Sequence, residues 1–265
     1  MRRPRSEPAA LLGGLSYFEY QRLLGRDVVI PWLARRLQLQ GIYVGDFGAH
    51  HGGMLDAFRD SGLVAGALGL ELSEEIVASS PFVPDDRFRL EIADVMAVES
   101  GERQFDLVLL HDVLEHIPDF DRALAAVGRS LRPNGHVFVS FPPYYSAFGG
   151  HQQLARGRAR LVPFTHYLPA RIFFRVARPG DQEYMAASGA LDDMVSVRRT
   201  RLTLSAAEKA FSTAGFEVEE RELFLVRPEY TVRYGLAPRT AGFLGRLPVV
   251  REAIVNGAVY LLRAR

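Results

Sequence analysis

The sequence predicts an α/β protein with a doubly wound, mostly parallel sheet and helices on both faces. Two observations carry this expectation. Apolar runs alternate with amphipathic stretches from residue 42 to residue 141, and turns rich in Gly, Pro or Asn separate them. Right-handed crossovers then bring the C-terminal ends of the parallel strands to one edge of the sheet, which is where chemistry is expected.

Residues 15–40 read as helical, with Pro31 suited to the first turn of a helix through Trp32, Leu33 and Leu37. Ile42 to Phe47 is the first strand and enters a glycine turn; a helix with Met54, Leu55 and Phe58 follows. The second strand lies within 63–72 and ends near Glu71. Ser73 then serves as an N-cap, with Glu74 and Glu75 in the first turn where the helix dipole favours acid. Phe88 to Ile92 and Phe105 to Leu110 are strands three and four. Apolar residues at 120, 124, 127 and 131 mark a helix, Pro133-Asn134-Gly135 a turn, and His136 to Phe141 the fifth strand. Residues 142–202 break the alternation and read as an insertion over the sheet edge. Ser205 to Glu208 matches a capping box opening a helix that ends at Gly215, and Phe216 to Glu219 and Ala258 to Leu262 are the last strands. The expected organisation is a helical segment (1–40), a core (41–142), a cap insertion (143–202) and a return to the core (203–265).

A chain of 265 residues suits one large domain or a domain with a cap. The absence of cysteine excludes disulfides, thiolate nucleophiles and cysteine-ligated metals. All basic residues but Lys209 are arginine, yet the net charge is +1, not the basic excess of a non-specific nucleic-acid binder. That small total conceals an asymmetry: residues 151–201 hold nine arginines against Asp181, Glu183, Asp192 and Asp193. No apolar stretch approaches the length of a membrane span, and a soluble cytoplasmic protein is expected.

The first strand enters the turn Asp46-Phe47-Gly48-Ala49-His50-His51-Gly52-Gly53. A strand, a glycine turn and a helix start bring backbone N–H groups close to a ligand. Glu71, at the end of the second strand, can accept from two ribose hydroxyls, so an adenosine-containing cofactor is expected. A dinucleotide wants G-x-G-x-x-G; Gly48 and Gly53 fit it, but His50 stands where the backbone would meet the pyrophosphate. S-adenosylmethionine wants D-x-G-x-G-x-G; Asp46, Gly48 and Gly52 fit, with His50 again in the middle, and this cofactor has no pyrophosphate to accommodate.

Five blocks in order resemble the class I S-adenosylmethionine-dependent methyltransferases. They are the Asp46 turn, Gly69-Leu70-Glu71, Ile92-Ala93-Asp94-Val95, Phe105 through Leu114-Glu115-His116, and Leu131-Arg132-Pro133-Asn134-Gly135-His136. The resemblance implies a sheet of seven strands in the order 3-2-1-4-5-7-6, with Ala258 to Leu262 as the antiparallel seventh. It also implies S-adenosylmethionine as cofactor, held by Asp46, Gly48, His50, Gly52, Glu71, Leu72, Asp94, Val95 and His111. Glu71 would meet the ribose, Asp94 the adenine amino group, and the His111 backbone the methionine end. Arg227-Pro228-Glu229-Tyr230 looks more loosely like bacterial methyltransferases of glycan or secondary-metabolite pathways.

Methyl transfer is an in-line displacement, so the protein must align donor and acceptor, exclude water and, for a hydroxyl, take a proton. His116, after the fourth strand, and His151, in the loop after the fifth, are the candidate bases. A packing role for His116 and Glu115 is the bland alternative, and Asp112 reads as solvated or capping. Tyr144 and Tyr145 can stack on an acceptor or simply line it, and the arginine-rich cap suits an anionic acceptor or a solvated face. His50 and His51 are adjacent in a tight turn and should diverge, so no metal is expected. The expected activity is O-methylation of a small molecule or glycan. N- or C-methylation, an NAD-dependent oxidoreductase, a non-catalytic cofactor-binding module and an RNA methyltransferase are the alternatives.

Overall fold

The predicted strands join one mixed sheet. In this computed structural model residues 15–97, 104–180 and 187–265 are described; residues 1–14, and Asp181 and Glu183 of the expected cap, lie outside them. Strands β1 (Tyr43–Phe47), β2 (Gly66–Glu71), β3 (Phe88–Ile92), β4 (Phe105–His111) and β5 (Leu131–Phe141) pair in parallel. With β6 (Phe216–Val226), β7 (Arg239–Thr240) and β8 (Gly257–Ala264) the order is β3-β2-β1-β4-β5-β8-β6-β7. The C-terminal strand β8 takes the expected reversed place, antiparallel to both β5 and β6. The sheet has eight strands, not seven: the two-residue β7 pairs with the outer edge of β6 and is too short to carry a periodicity.

Period-two alternation along the central strands feeds two separate cores. Val108 and Leu110 of β4 join one core with Val137, Val139 and Tyr260, covered by α5 (Phe120–Ser130) and α8 (Leu204–Thr213). Leu107 and Leu109 join the other with Val44, Ala67 and Phe138. That second face is covered by α1 (Tyr17–Leu24), α2 (Ile30–Ala34) and α3 (Gly53–Ser61). Each fully buried Leu or Val stabilises the fold by roughly 1.5–3 kcal/mol.

The N-terminal helix begins earlier than Pro31, at a capping box in which the Ser16 hydroxyl accepts from Glu19 N–H while the Glu19 carboxylate accepts from Ser16 N–H. It runs through α1, a π turn at Gly25–Val29 and α2. Pro31 has no N–H to offer the preceding turn, and the π turn, where Ile30 N–H reaches back to the Gly25 carbonyl, accommodates it. Gly53 allows the α3 backbone to lie against that of α1: a Cβ there would stand 2.2 Å from the Phe18 carbonyl oxygen. This contact brings Tyr17, Tyr20 and Gln21 over the glycine turn, where the Gln21 amide donates to the Ala49 carbonyl at 3.3 Å.

Two local readings are corrected. β5 starts at Leu131, and the Pro133-Asn134-Gly135 turn is an excursion within it, since Phe105 pairs with Leu131 and Leu107 with His136. The N-cap of α8 is Thr203, whose hydroxyl accepts from Ala206 N–H at 3.0 Å, not Ser205. Glu208 is therefore free of the cap and accepts from Arg251, Arg221 and the Tyr260 hydroxyl. α4 (Glu74–Ala78) is capped by Ser73 as expected. Residues 142–203 carry three short 3-10 turns, α6 (Ala170–Val176) and α7 (Ala187–Thr200), around a small core of Leu154, Phe173 and Met194. α9 (Glu229–Tyr234) and α10 (Pro248–Ile254) flank the last strands.

Two glycine substitutions should act in opposite directions. Gly53→Ala must push α1 away and is expected to cost at least about 1–3 kcal/mol. Gly128→Ala, in the middle of α5, meets only the Phe216 ring at 3.5 Å and should stabilise by about 0.5–1 kcal/mol. Denaturant unfolding of the two variants measures both.

Candidate functional site

A cleft of about 1030 Å³ opens at the C-terminal ends of β1, β2 and β4. Every predicted site residue lines it except Gly52, which lies behind the turn at the start of α3 with φ +76°. At Gly48 the chain turns with φ +84°, and a Cβ would stand 2.6 Å from Val113. His50 follows with φ +49°, a left-handed conformation that histidine tolerates better than most side chains. Its N–H donates to Glu71 Oε2 at 2.9 Å, and Ser73 N–H donates to Glu71 Oε1 at 2.9 Å. One carboxylate thus holds the turns after β1 and β2 together. Asp94 accepts from Met96 N–H at 2.8 Å, which fixes the turn containing Val95. Leu72 forms an exposed wall, and the His111 ring meets the Ser140 hydroxyl of β5.

Asp46 is buried, with Oδ2 lacking a partner. Burial, reinforced by the Glu71 charge, pushes its carboxyl up to about 7. His50 and His51 do not diverge: their Nδ1 atoms lie 2.6 Å apart, so one ring donates to the other. Burial, and His51 beside it, bring the His50 imidazole down to about 3.

At the other end of the cleft His116 and His151 stand with ring centroids 5.0 Å apart. The Ser196 hydroxyl of α7 donates to the Asp193 carbonyl at 2.9 Å and lies 2.8 Å from His116 Nδ1. The hydroxyl therefore accepts from Nδ1–H, which leaves the His116 lone pair on Nε2. Burial keeps both imidazoles neutral, His151 well below its ordinary range. Glu115 is 2% exposed, and neither carboxylate oxygen has a hydrogen-bond partner. Burial, with Asp112 nearby, raises its carboxyl well above the usual range.

Asp112 is partly exposed but is neither a free carboxylate nor a cap. Arg227 Nη2 donates to both of its oxygens at 2.6 and 2.7 Å, and the same guanidinium donates to Glu229 at 2.9 and 3.1 Å. Sequence reading missed this cluster because Asp112 and Arg227 lie 115 residues apart. Tyr144 and Tyr145 do not reach the cleft: Tyr144 is buried against His166, and Tyr145 lines a separate groove with Tyr167. Of the nine arginines in 151–201, Arg160 reaches the cleft, while Arg198 donates to the His166 and Leu168 carbonyls.

Burial opposes both acidic members of the cluster, but Arg227 outweighs it: the Asp112 carboxyl falls to about 2 and Glu229 is also lowered. Their stabilising contribution is complete above the ordinary carboxylate range and is lost as pH falls through the lowered values. Arg227→Met should cost roughly 3–5 kcal/mol by leaving two carboxylates unpaired. The buried histidines add a second dependence: His50 and His151 resist protonation when folded, so stability falls as pH drops below 6.5. The slope for each is at most about 1.4 kcal/mol per pH unit. The raised Asp46 carboxyl contributes the opposite slope over the same range. Thermal melts of the parent, His50→Ala and His151→Ala at a series of pH values isolate the histidine part, and variants that keep the parent's slope from pH 7 to 5 contradict the buried neutral histidines.

A family profile described as a methyltransferase domain matches residues 20–221. A methyltransferase of Mycobacteroides abscessus is 26% identical over 241 residues, covering 88% of this chain and 80% of that protein. A ubiquinone biosynthesis O-methyltransferase of Pseudomonas entomophila is 31% identical over 116 residues, 42% of this chain and 49% of the relative. In fold, the crystal structure of an S-adenosylmethionine-dependent methyltransferase from Mesorhizobium loti superimposes with a TM-score of 0.55 at 20% identity, covering 88% of this chain and 96% of that one. With the glycine turn, the two acidic strand ends and the reversed C-terminal strand in place, the chain belongs to the methyltransferase-domain family, within the class I S-adenosylmethionine-dependent methyltransferases.

Proposed function

We propose that the chain methylates an oxygen of a small-molecule or glycan acceptor, with S-adenosylmethionine held at the β1–β2–β4 edge and the acceptor under residues 142–203. The observation that carries the donor reading is the buried, unpartnered Asp46 oxygen on the same cleft wall as Glu71 and Asp94. The donor is a sulfonium that also bears an ammonium group, and an orphan carboxylate oxygen favours such a cation. When bound it supplies an activated methyl group. Glu71 retains lone pairs for the ribose after accepting two backbone N–H groups, and Asp94 faces the adenine side. Gly48 and His50 shape the turn, Leu72 and Val95 flank the adenosine, and the His111 backbone meets the methionine end. The O-methyltransferase among the relatives supports oxygen as the acceptor atom.

At the acceptor end a hydroxyl must lose a proton, and His116 and His151 present neutral imidazoles there. Arg160, at the cleft wall, gives an anionic acceptor one cation to meet. Residues 143–202 act as the cap that excludes water from the transfer.

Glu71→Ala is expected to weaken S-adenosylhomocysteine binding by about 1–3 kcal/mol. His50→Gly should preserve or tighten it, since the turn conformation suits glycine. Calorimetry reads both, and unchanged affinity in Glu71→Ala removes the ribose assignment. His116→Ala and His151→Ala should slow single-turnover methyl transfer by about 10²–10⁴-fold without weakening donor binding. Mass spectrometry of small-molecule and glycan extracts incubated with isotopically labelled methyl donor tests the activity itself; label appearing on RNA or protein alone contradicts the acceptor class.

A further inference from the structure

The acceptor end of the cleft contains an arrangement that proton transfer by itself does not explain. Glu115, His116 and His151 each offer a ligand atom, and these three atoms lie within 4.8 Å of one another. Glu115 comes from the 3-10 turn after β4 and is 98% withdrawn from solvent, at 2% exposure, yet neither of its oxygens has a hydrogen-bond partner. Protonation does not resolve this by itself, because it supplies a donor at one oxygen only and leaves the other still without one. A cation between the carboxylate and the two imidazoles does resolve it.

We infer that Glu115, His116 and His151 form a site for one first-row divalent cation of the Zn²⁺ or Mn²⁺ type. Two imidazole nitrogens and one carboxylate oxygen suit these ions better than Mg²⁺ or Ca²⁺, which favour all-oxygen surroundings. The orientation of His116 is already set. Its Nδ1–H is spent on Ser196, whose hydroxyl is in turn spent on the Asp193 carbonyl, so Nε2 carries the ligating lone pair. His151 is held with φ +54°, a left-handed backbone outside the helical and extended regions, and that turn carries its ring to His116 across the cleft. Metal–ligand distances of about 2.0–2.2 Å need the three donors to close by roughly 1 Å, within reach of side-chain rotation.

A second cluster, His111, Asp112 and Glu229, has one histidine and two acids but no free carboxylate, because both acids already accept from Arg227. The His50–His51 pair has spent its facing nitrogens on each other. The Glu115 site therefore stands apart from both. Three protein ligands leave at least one position toward the cleft, as in catalytic rather than structural metal sites. This use of the ion rests on the proposed methyl transfer. With both imidazole lone pairs on the ion, the ion takes over their role as base: an acceptor hydroxyl bound there is acidified and gives its proton to solvent before the transfer. Its oxygen then forms the new O–C bond, and the C–S bond breaks with the pair returning to sulfur.

Metal binding can be read without donor or acceptor. The full chain, stripped with a chelator, is titrated calorimetrically with Zn²⁺, Mn²⁺ or Mg²⁺ alone. One equivalent of Zn²⁺ or Mn²⁺ per chain is expected, with Mg²⁺ much weaker. Glu115→Gln, which keeps the shape of the side chain, and His151→Ala should each weaken binding by at least about 10–100-fold. The double variant His50→Ala/His51→Ala should bind as tightly as the parent. Co²⁺ absorption in the visible gives a second reading, with a histidine-ligand spectrum lost in His151→Ala; circular dichroism and a cooperative thermal melt of each variant verify its fold, and S-adenosylhomocysteine binding by the parent reads the donor site. No saturable binding overturns the inference, as does stoichiometric binding that Glu115→Gln and His151→Ala leave unchanged or that only the His50/His51 variant abolishes. Donor binding without metal binding removes this inference alone, and metal binding without donor binding removes the methyl-transfer reading alone.

Discussion

The guanidinium of Arg227, 8% exposed, lies between Asp112 at the exit of β4 and Glu229 at the start of α9. Its position fixes much of the cleft. Asp112 is held with φ +54°, so the chain leaves β4 sharply, with His111 and His116 both on the cleft wall. Gly257, at the start of β8, leaves the room this needs, since a Cβ there would stand 2.5 Å from Arg227 Cγ. On the far side of α9, Arg233 lies 4.5 Å from the Tyr20 ring of α1. A buried ion pair is weak evidence for net stability, because desolvation opposes it. Here it specifies geometry: one cation joins the central strand, the last strands and the N-terminal helix around a single opening.

The parts of the fold legible in the sequence are those with local causes. β1 to β4 are short apolar runs between turn residues, α5 carries its apolar spacing, and Ser73 caps α4 beside two acids. The cleft wall at the ends of β1, β2 and β4 was legible for the same reason, since Asp46, Glu71 and His111 sit at strand ends that their own neighbours predict. What could not be read depended on distant partners. The π turn that joins α1 to α2 has no local signal, although Pro31 does stand in the first turn of α2, as its sequence predicts. Ser205 looked like a cap, but Glu252 takes the Leu204 and Ser205 N–H groups and the chain caps at Thr203 instead. Arg227 was seen only in a loose likeness, and nothing local ties it to Asp112.

Charge shows the same division. The arginine excess in residues 151–201 suggested a basic lid, yet one of those arginines lines the cleft and another is committed to backbone carbonyls. Local counting finds a charge but not the direction it points. The histidines behaved in the opposite way. The seven are scattered along the chain and no local pattern pairs His116 with His151, but these two, from the loops after β4 and β5, meet because parallel strands deliver their exits to one edge.

Glu71 has a consequence that concerns entropy. A glutamate side chain free in solvent samples several rotamers, and fixing it on contact with a ligand costs up to about 1.5–2 kcal/mol. In this fold the His50 and Ser73 N–H groups already hold both carboxylate oxygens, so that ordering is completed during folding. A ligand arriving at the second strand end meets an acceptor whose direction is settled, and the free energy of its hydrogen bonds goes into affinity instead of into arranging the wall that receives it.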